Sequence, residues 1–225
     1  MIFVTGDTHR SDLARFAPFC AAHPGLTKED YMIVAGDFGG VWSEKTLEED
    51  LDRFSALPFT VLFVDGNHEN FDLLSSCPVG QWQGGKVHFV REDVIHLMRG
   101  QVYELEGHTF FTFGGATSLD RAFRTEGESW WRQELPTYEE LDEGLRNFKR
   151  CGRADYVVTH SCGERAYMHL ASRRLIGVPR MYPENHLLSN FEDLPFGHWF
   201  FGHYHVDARL GEKYTALLHE IVRIV

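Results

Sequence analysis

Basic residues are scarce in this chain. Only 22 Lys and Arg stand against 33 Asp and Glu, so the 225 residues carry a formal net charge of −11. Proteins that hold duplex nucleic acid neutralise its phosphates with Lys and Arg. We therefore expect no stable binding to duplex nucleic acid. A nucleotide substrate remains compatible with this charge, because bound cations can reverse the local field.

Cysteine is also scarce, and the few thiols are scattered along the chain. No two of them have the C-x-x-C spacing that is typical of metal and redox motifs. This pattern predicts small buried thiols in a reducing compartment and not a disulfide scaffold. The four residues are Cys20, Cys77, Cys151 and Cys162.

Long apolar runs are missing too. No stretch of the sequence reaches the roughly 20 apolar residues that a transmembrane helix needs. The apolar segment from Met1 to Thr5 runs straight into Gly6-Asp7, which leaves no room for a secretory signal peptide. These absences predict a cytoplasmic protein that does not bind membranes.

Strand and helix patterns alternate in the first third of the chain. Apolar runs predict buried strands over 2–5, 31–35 and 60–64. Amphipathic segments between them predict helices over 12–22 and after Ser43. Such alternation is typical of the α/β class with parallel strands.

The pattern changes in the second half of the chain. Short strand candidates follow one another between residues 86 and 113, which indicates a meander. Thr137 and Glu140 have the spacing of a capping box, which predicts a helix to residue 150. Further strand candidates lie at 156–159 and beyond residue 198.

Five short motifs, each after an apolar run, place oxygen and nitrogen ligands in turns. In open α/β sheets, ligands gather outside the carboxyl ends of the strands. The motifs therefore predict one shared site. They are Gly6-Asp7-Thr8-His9, Gly36-Asp37, Gly66-Asn67-His68-Glu69, Thr159-His160 and Gly202-His203-Tyr204-His205.

These motifs contain enough ligands for two metal ions. Asp37 can bridge the two ions, because a carboxylate has two oxygens. Mixed oxygen and nitrogen ligation favours Mn, Fe, Zn, Co or Ni over Mg or Ca. The predicted ligands are Asp7, His9, Asp37 and His205 for one ion and Asp37, Asn67, His160 and His203 for the other.

The remaining polar residues of the third motif suggest a catalytic group. Two ions about 3.5–4 Å apart can clamp a phosphate while a water molecule attacks in line. The leaving oxygen then needs a proton. His68 is our candidate donor, because it is left over once the ligands are assigned. We predict that Glu69 orients His68.

The five motifs, in this order from Asp7 to His205, resemble those of the calcineurin-like metallophosphoesterase superfamily. The resemblance implies an α/β fold of two mixed β-sheets, packed as a four-layer sandwich with flanking helices. The length of the chain and its lack of linkers and repeats predict a single domain of residues 1–225. The resemblance also implies a dinuclear metal centre with the ligands given above. His68 matches the catalytic histidine of that family.

The sequence departs from the family pattern at two positions. Gly40 stands where the family often has a second Asp that supports the catalytic histidine, so the orientation of His68 must come from elsewhere. Arg10 follows His9, where the family often has Gly. Arg10 is either a bidentate contact for the substrate phosphate or a surface arginine.

Residues 114–134 are the best candidates for substrate specificity. Arg121 and Arg124 could hold a second phosphate of the substrate. An indole, of Trp130 or Trp131, could stack on a base. The favoured alternative is that both indoles pack the loop against the domain.

The sequence thus predicts a metal-dependent phosphoesterase that uses metal-activated water, with Mn as the preferred ion. A phosphodiester or nucleotide-type small molecule is the first choice of substrate. The alternatives are a Ser/Thr phosphoprotein phosphatase, a dinucleoside polyphosphate hydrolase and, in a different class, a non-catalytic partner-binding module on the same fold. Neither the oligomeric state nor a role for residues 161–197 follows from the sequence.

Overall fold

Two β-sheets form the centre of the structure. The computed structural model describes residues 1–9, 12–177 and 180–225, and thirteen strands lie within these ranges. Seven strands form the first sheet, namely β1 (Ile2–Thr5), β2 (Tyr31–Val34), β3 (Thr60–Phe63), β4 (Val79–Trp82), β5 (Gly85–Arg91), β6 (Val94–Leu97) and β13 (Val222–Arg223). Their order is β13-β1-β2-β3-β6-β5-β4. The central strands β1, β2, β3 and β6 are parallel to one another. The pairs β13–β1, β6–β5 and β5–β4 are antiparallel.

The second sheet is also mixed. Its six strands are β7 (Gln101–Leu105), β8 (His108–Phe113), β9 (Ala154–Thr159), β10 (Phe196–Phe201), β11 (Ala208–Leu210) and β12 (Tyr214–Ala216). They lie in the order β11-β12-β10-β9-β8-β7. The strands β12, β10, β9 and β8 are parallel, whereas β11 and β7 pair antiparallel at the edges.

Helices flank both sheets. The α-helices are α1 (Phe16–Ala22), α2 (Leu47–Ser55), α3 (Phe71–Ser76), α4 (Tyr138–Cys151), α5 (Glu164–Ser172) and α6 (Pro183–Leu188). Short 3₁₀ turns lie at Asp12–Arg15, Arg121–Phe123, Arg132–Glu134 and Ser189–Phe191. Among the described residues, no helix is both long enough and apolar enough to cross a bilayer.

The alternation of side chains along each strand produces four layers. In β1, Ile2 and Val4 pack with residues of the second sheet such as Phe200, so the two sheets face each other. Phe3, between them, points to the other side and packs with Phe16 and other side chains near α1 and α2. The outer face of the second sheet is covered by α4, α5 and α6. The structure therefore confirms the predicted sandwich of two mixed sheets with flanking helices.

The predicted elements are largely confirmed, with corrections at the helix ends. The capping box of Thr137 and Glu140 is present and begins α4. The helix predicted after Ser43 begins only at Leu47, and no side chain caps it. The helix predicted over 12–22 starts with a 3₁₀ turn, so its α-helical part is shorter. The sequence did not predict α3, β4, α5 or α6, because these short segments show no clear periodicity.

Candidate functional site

The five motifs meet at one edge of the two sheets. Each follows the carboxyl end of a parallel strand: β1, β2 and β3 in the first sheet, and β9 and β10 in the second. Because the sheets are packed face to face, the turns of one sheet lie against those of the other. The candidate ligands at this edge are Asp7, His9, Asp37, Asn67, His160, His203 and His205.

One group of four side chains has the geometry of a metal site. The ligand atoms of Asp7, His9, Asp37 and His205 all lie within 4.8 Å of one another. The Nε2 atom of His205 lies 3.2 Å from Asp7 Oδ2 and 3.2 Å from His9 Nε2. Donors that each bind one ion at about 2.1 Å in a tetrahedral or octahedral site are separated by roughly 3–3.5 Å. The group therefore fits a divalent metal ion.

A second group lies on the other side of Asp37. The Nε2 atom of His160 lies 3.1 Å from Asn67 Oδ1 and 3.3 Å from Asp37 Oδ1. The ring of His203 is edge-on to that of His160, with 5.0 Å between centroids. The other oxygen of Asp37, Oδ2, lies 3.7 Å from His9 Nε2. The two carboxylate oxygens of Asp37 thus face different groups of donors.

Backbone strain is concentrated in these turns. Seven described residues other than glycine have positive φ angles. Four of them are candidate ligands, namely His9 (42°), Asp37 (46°), His203 (68°) and His205 (51°). Left-handed conformations are costly for residues with a Cβ, and they persist where function requires them. This concentration marks the turns as a functional site.

Two glycines permit the close approach of the turns. A Cβ atom at Gly66 would lie 2.1 Å from Asp37 Oδ1, and one at Gly202 would lie 2.1 Å from Asp7 Oδ1. Both distances are far below van der Waals contact, so any larger residue would displace a carboxylate. The glycines of these motifs are therefore needed for packing, while the neighbouring residues provide the donors.

Hydrogen bonds to the backbone orient the candidate ligands. Asp7 Oδ1 accepts from the N–H of His203 at 3.0 Å, and Asp37 Oδ1 accepts from the N–H of His68 at 2.8 Å. His160 Nδ1 lies 2.9 Å from the carbonyl oxygen of Ala35. Because a carbonyl can only accept, Nδ1 carries a proton, and Nε2 faces the other donors. This is the usual arrangement of a histidine that binds metal through Nε2.

The electrostatics of the site favour a cation. Asp7 and Asp37 are 1% exposed, and His160 is fully buried. Burial opposes the charge on Asp37, but the charge and hydrogen bond of His160 outweigh it and hold the pKa of Asp37 below its ordinary value. Burial likewise opposes protonation of His160, yet Asp37 raises the pKa of His160 to about 10. Without metal, a proton on His160 thus balances buried carboxylates, and a bound cation would take its place.

His68 lies beside the candidate ligands and next to an arginine. Its ring centroid is 5.2 Å from that of His9. The two terminal nitrogens of Arg124 each lie 3.4 Å from one ring nitrogen of His68, so the guanidinium lies against the imidazole. Arg124 is held by Asp120 Oδ1 at 2.8 Å and by the carbonyl oxygen of Ser129 at 3.0 Å. Burial lowers the pKa of His68, and the positive charge of Arg124 acts in the same direction. The negative charge of Asp37 opposes this shift.

Glu69 does not orient His68 as predicted. The carboxylate of Glu69 is fully buried and accepts from the N–H groups of Phe38 (2.7 Å) and Gly39 (3.4 Å). Burial, and next the charge of Asp37, raise the pKa of Glu69 well above its ordinary value. Glu69 is buried in the interior, whereas the neighbouring His68 is partly exposed and lines the cleft. Glu69 therefore fixes the loop that follows Asp37.

The predicted arginines have different positions. Arg124 lines the cleft at the candidate ligands. Arg121 lies over the ring of Trp130, 5.9 Å from its centroid, and this pair lines a separate depression. The prediction that Arg121 contacts substrate is therefore not supported by its position. Arg10 lies outside the described residues.

Trp131 has the packing role that the sequence favoured. It is 3% exposed, and its Nε1–H donates to Asp72 Oδ2 at 2.8 Å. Its ring is edge-on to that of Trp42, with 5.7 Å between centroids. With Trp130 beneath Arg121, neither indole is placed to stack on a ligand at the candidate site.

A cleft of about 590 Å³ opens beside the candidate ligands. One wall carries polar residues, including Asp37, Asn67, His68 and Arg124. The sequence did not predict the other lining residues named here, since they come from a segment without periodicity or motif. They are Tyr167, Leu175, Ile176, Arg180 and Tyr182.

Comparison with known proteins identifies the family. A family model described as calcineurin-like phosphoesterase matches residues 1–207. Among solved structures, the chain is similar to the crystal structure of phosphopantetheinyl hydrolase (PptH) from Mycobacterium tuberculosis, with 15% sequence identity, a TM-score of 0.48, and coverage of 96% of this chain and 89% of that one. No curated protein matches the chain significantly. Because the family model spans most of its length, the chain belongs to the calcineurin-like phosphoesterases and is a metal-dependent phosphoester hydrolase.

Proposed function

We propose that this hydrolase cleaves a phosphodiester or nucleotide-type small molecule at a centre of two divalent transition-metal ions. The observation that supports two ions is the position of Asp37, whose oxygens face two separate groups of donors. Mn is the first choice of metal, and Fe, Zn, Ni and Co suit the same mixed donors. Asp7, His9, Asp37 and His205 would hold one ion, and Asp37, Asn67, His160 and His203 the other.

Two bound ions would supply the activation of water and the neutralisation of phosphate oxygens. The chain supplies the remaining groups. His68 would donate a ring N–H to the leaving oxygen, and its position beside the candidate ligands supports this role. Arg124 would donate to a phosphate oxygen, and its position in the cleft beside Asp120 supports this role.

The cleft supports a substrate with an organic group on the phosphate. At about 590 Å³ it is larger than a phosphate needs, and it lies in the range of small-molecule sites. Its lining includes apolar surface from Leu175, Ile176 and Tyr182, and the guanidinium of Arg180 lies over the ring of Tyr182. Such a lining suits a ring or chain joined to an anionic group. A nucleotide or a related diester has both parts.

The test is turnover of bis-p-nitrophenyl phosphate against p-nitrophenyl phosphate. Metal-stripped protein is reloaded with Mn, Ni, Zn or Mg, and both rates are measured. We expect faster cleavage of the diester and dependence on a transition metal. A preference for the monoester would overturn the diesterase proposal in favour of a phosphatase. Binding of two metals without turnover of either ester would favour the partner-binding alternative.

Arg124 offers a test of substrate contact with a matched control. Arg124→Ala should lower kcat/KM for the diester by roughly 10–100-fold, because a hydrogen bond to a charged group contributes about 1.5–3 kcal/mol. Arg121→Ala removes an arginine of the same loop that lies outside the cleft, and it should change kcat/KM by less than about twofold. Steady-state kinetics of both variants decide the assignment. Equal effects of the two substitutions would contradict a specific role for Arg124.

A further inference from the structure

The first turn of α6 touches the turns that carry the candidate ligands. Asn185 in this turn is fully buried. Its Oδ1 accepts from the N–H of Tyr182 at 2.9 Å. Its Nδ2 donates to the carbonyl oxygen of Cys162 at 2.8 Å and to the hydroxyl of Tyr204 at 2.8 Å. Since Tyr182 N–H can only donate and Cys162 C=O can only accept, the orientation of the amide is fixed.

The partners of Asn185 belong to two different ligand turns. Cys162 follows His160 by two residues, at the end of β9. Tyr204 lies between His203 and His205, after β10. The Ser161 hydroxyl joins them, with its Oγ 2.9 Å from the Tyr204 hydroxyl and 3.3 Å from Asn185 Nδ2. One amide group thus connects the turn of His160 with the turn of His203 and His205.

The neighbouring residue of α6 is linked to a third ligand turn through residues 117 and 118. Glu184 is fully buried, and its Oε2 accepts from the Thr117 hydroxyl at 2.7 Å. The next residue, Ser118, accepts from Asn67 Nδ2 at 3.3 Å. This contact turns Asn67 Oδ1 toward His160. The segment 161–197, for which the sequence predicts no role, is therefore linked to candidate ligands that follow three strands.

We propose that Asn185 is a positioning residue of the metal centre, which sets the separation of the His160 turn from the His203–His205 turn. The inference rests on the proposed two-metal function. Its physical basis is that metal ligands need to be held within about 0.5 Å of their binding geometry. The two turns follow neighbouring strands and share one backbone hydrogen bond, from the N–H of Gly202 to the carbonyl oxygen of His160 at 2.9 Å. Asn185 adds a buried side-chain bridge beyond that bond, between Cys162 and Tyr204.

The test is the affinity for Mn²⁺ of folded, metal-free protein, measured by isothermal titration calorimetry. Asn185→Ala should weaken binding by roughly 10–100-fold, the usual effect of losing a partner that orients metal ligands. Asn190→Ala is the matched control. Asn190 is an exposed asparagine just after α6, and its Nδ2 also donates to carbonyl oxygens, those of Leu187 and His186. It should leave the Mn²⁺ affinity within about twofold of the wild-type value.

A second, more conservative variant tests the same contact in case Asn185→Ala does not fold. Tyr204→Phe keeps the buried ring and removes only the hydroxyl that Asn185 and Ser161 contact. It should weaken Mn²⁺ binding in the same direction, by roughly 3–10-fold. If Asn185→Ala does not fold, the Mn²⁺ affinity of Tyr204→Phe tests the inference, and an unchanged affinity would overturn it.

A melting curve of each metal-free variant separates positioning from general stability. A lower melting temperature with unchanged Mn²⁺ affinity would give Asn185 a purely structural role and overturn the inference. If the wild type binds two Mn²⁺ ions but the variants bind them equally well, this inference alone fails. If the wild type binds no metal, the proposed function fails with it.

Discussion

Asp37→Asn should abolish diester hydrolysis and lower the metal content from two ions per chain to one or none. The substitution replaces one carboxylate oxygen by an amide nitrogen, which carries protons and cannot bind a metal. Because the oxygens of Asp37 face His9 on one side and His160 on the other, either orientation of the amide removes a donor from one group. We expect kcat/KM to fall by more than about a thousandfold, equivalent to roughly 4 kcal/mol of transition-state stabilisation.

Asp30→Asn is the matched control for this variant. Asp30 and Asp37 flank the same strand, β2, at opposite ends. Asp30 is also buried, 7% exposed, but it binds the N-terminal ammonium and the N–H of Thr27, far from the candidate ligands. Its variant should keep both metals and full activity per folded molecule. Metal content is measured by mass spectrometry after gel filtration. Two ions and normal hydrolysis in Asp37→Asn would show that the dinuclear assignment is wrong.

The fold could be predicted because its signals are local and repeated. The parallel strands β1, β2, β3, β9 and β10 are short apolar runs, and each is followed by a Gly-containing turn or a ligand. Two of the helices on the second sheet, α5 and α6, were harder to predict. In α5 and α6, nine and six residues are too few to establish a period, and their packing depends on contacts distant in sequence such as that between Asn185 and Ser161.

The candidate ligands could be predicted because a residue at a strand end has a defined position at the sheet edge. The supporting residues could not. Glu69 and His68 are adjacent, and only the structure shows that they face opposite sides of the turn. Arg121 and Arg124 are three residues apart, but the chain becomes extended at Arg124 after a 3₁₀ turn, so the two guanidinium groups diverge. Side-chain direction in an irregular loop is set by tertiary contacts that sequence spacing does not record.

His68→Ala should keep both metals and lose most of the rate. The backbone N–H of residue 68, which donates to Asp37 Oδ1, survives the substitution, so the bridging carboxylate keeps its orientation. The lost imidazole is a proton donor, and such groups contribute roughly 10²–10⁴-fold. Metal content and kcat are measured on the same preparation. Loss of metal would give His68 a structural role and contradict the assignment.

The leaving group distinguishes proton donation from other roles of His68. p-Nitrophenolate is a stable anion and departs without a proton, whereas the alkoxide of a nucleoside or a simple alcohol needs one. His68→Ala should therefore slow an alkyl diester by at least about tenfold more than it slows bis-p-nitrophenyl phosphate. His68→Gln keeps an N–H but does not transfer its proton. It should therefore also slow the alkyl diester by at least about tenfold more than bis-p-nitrophenyl phosphate. Equal losses with both leaving groups would instead mean that the imidazole acts through Arg124, which lies 3.4 Å from it, and that the proton comes from elsewhere.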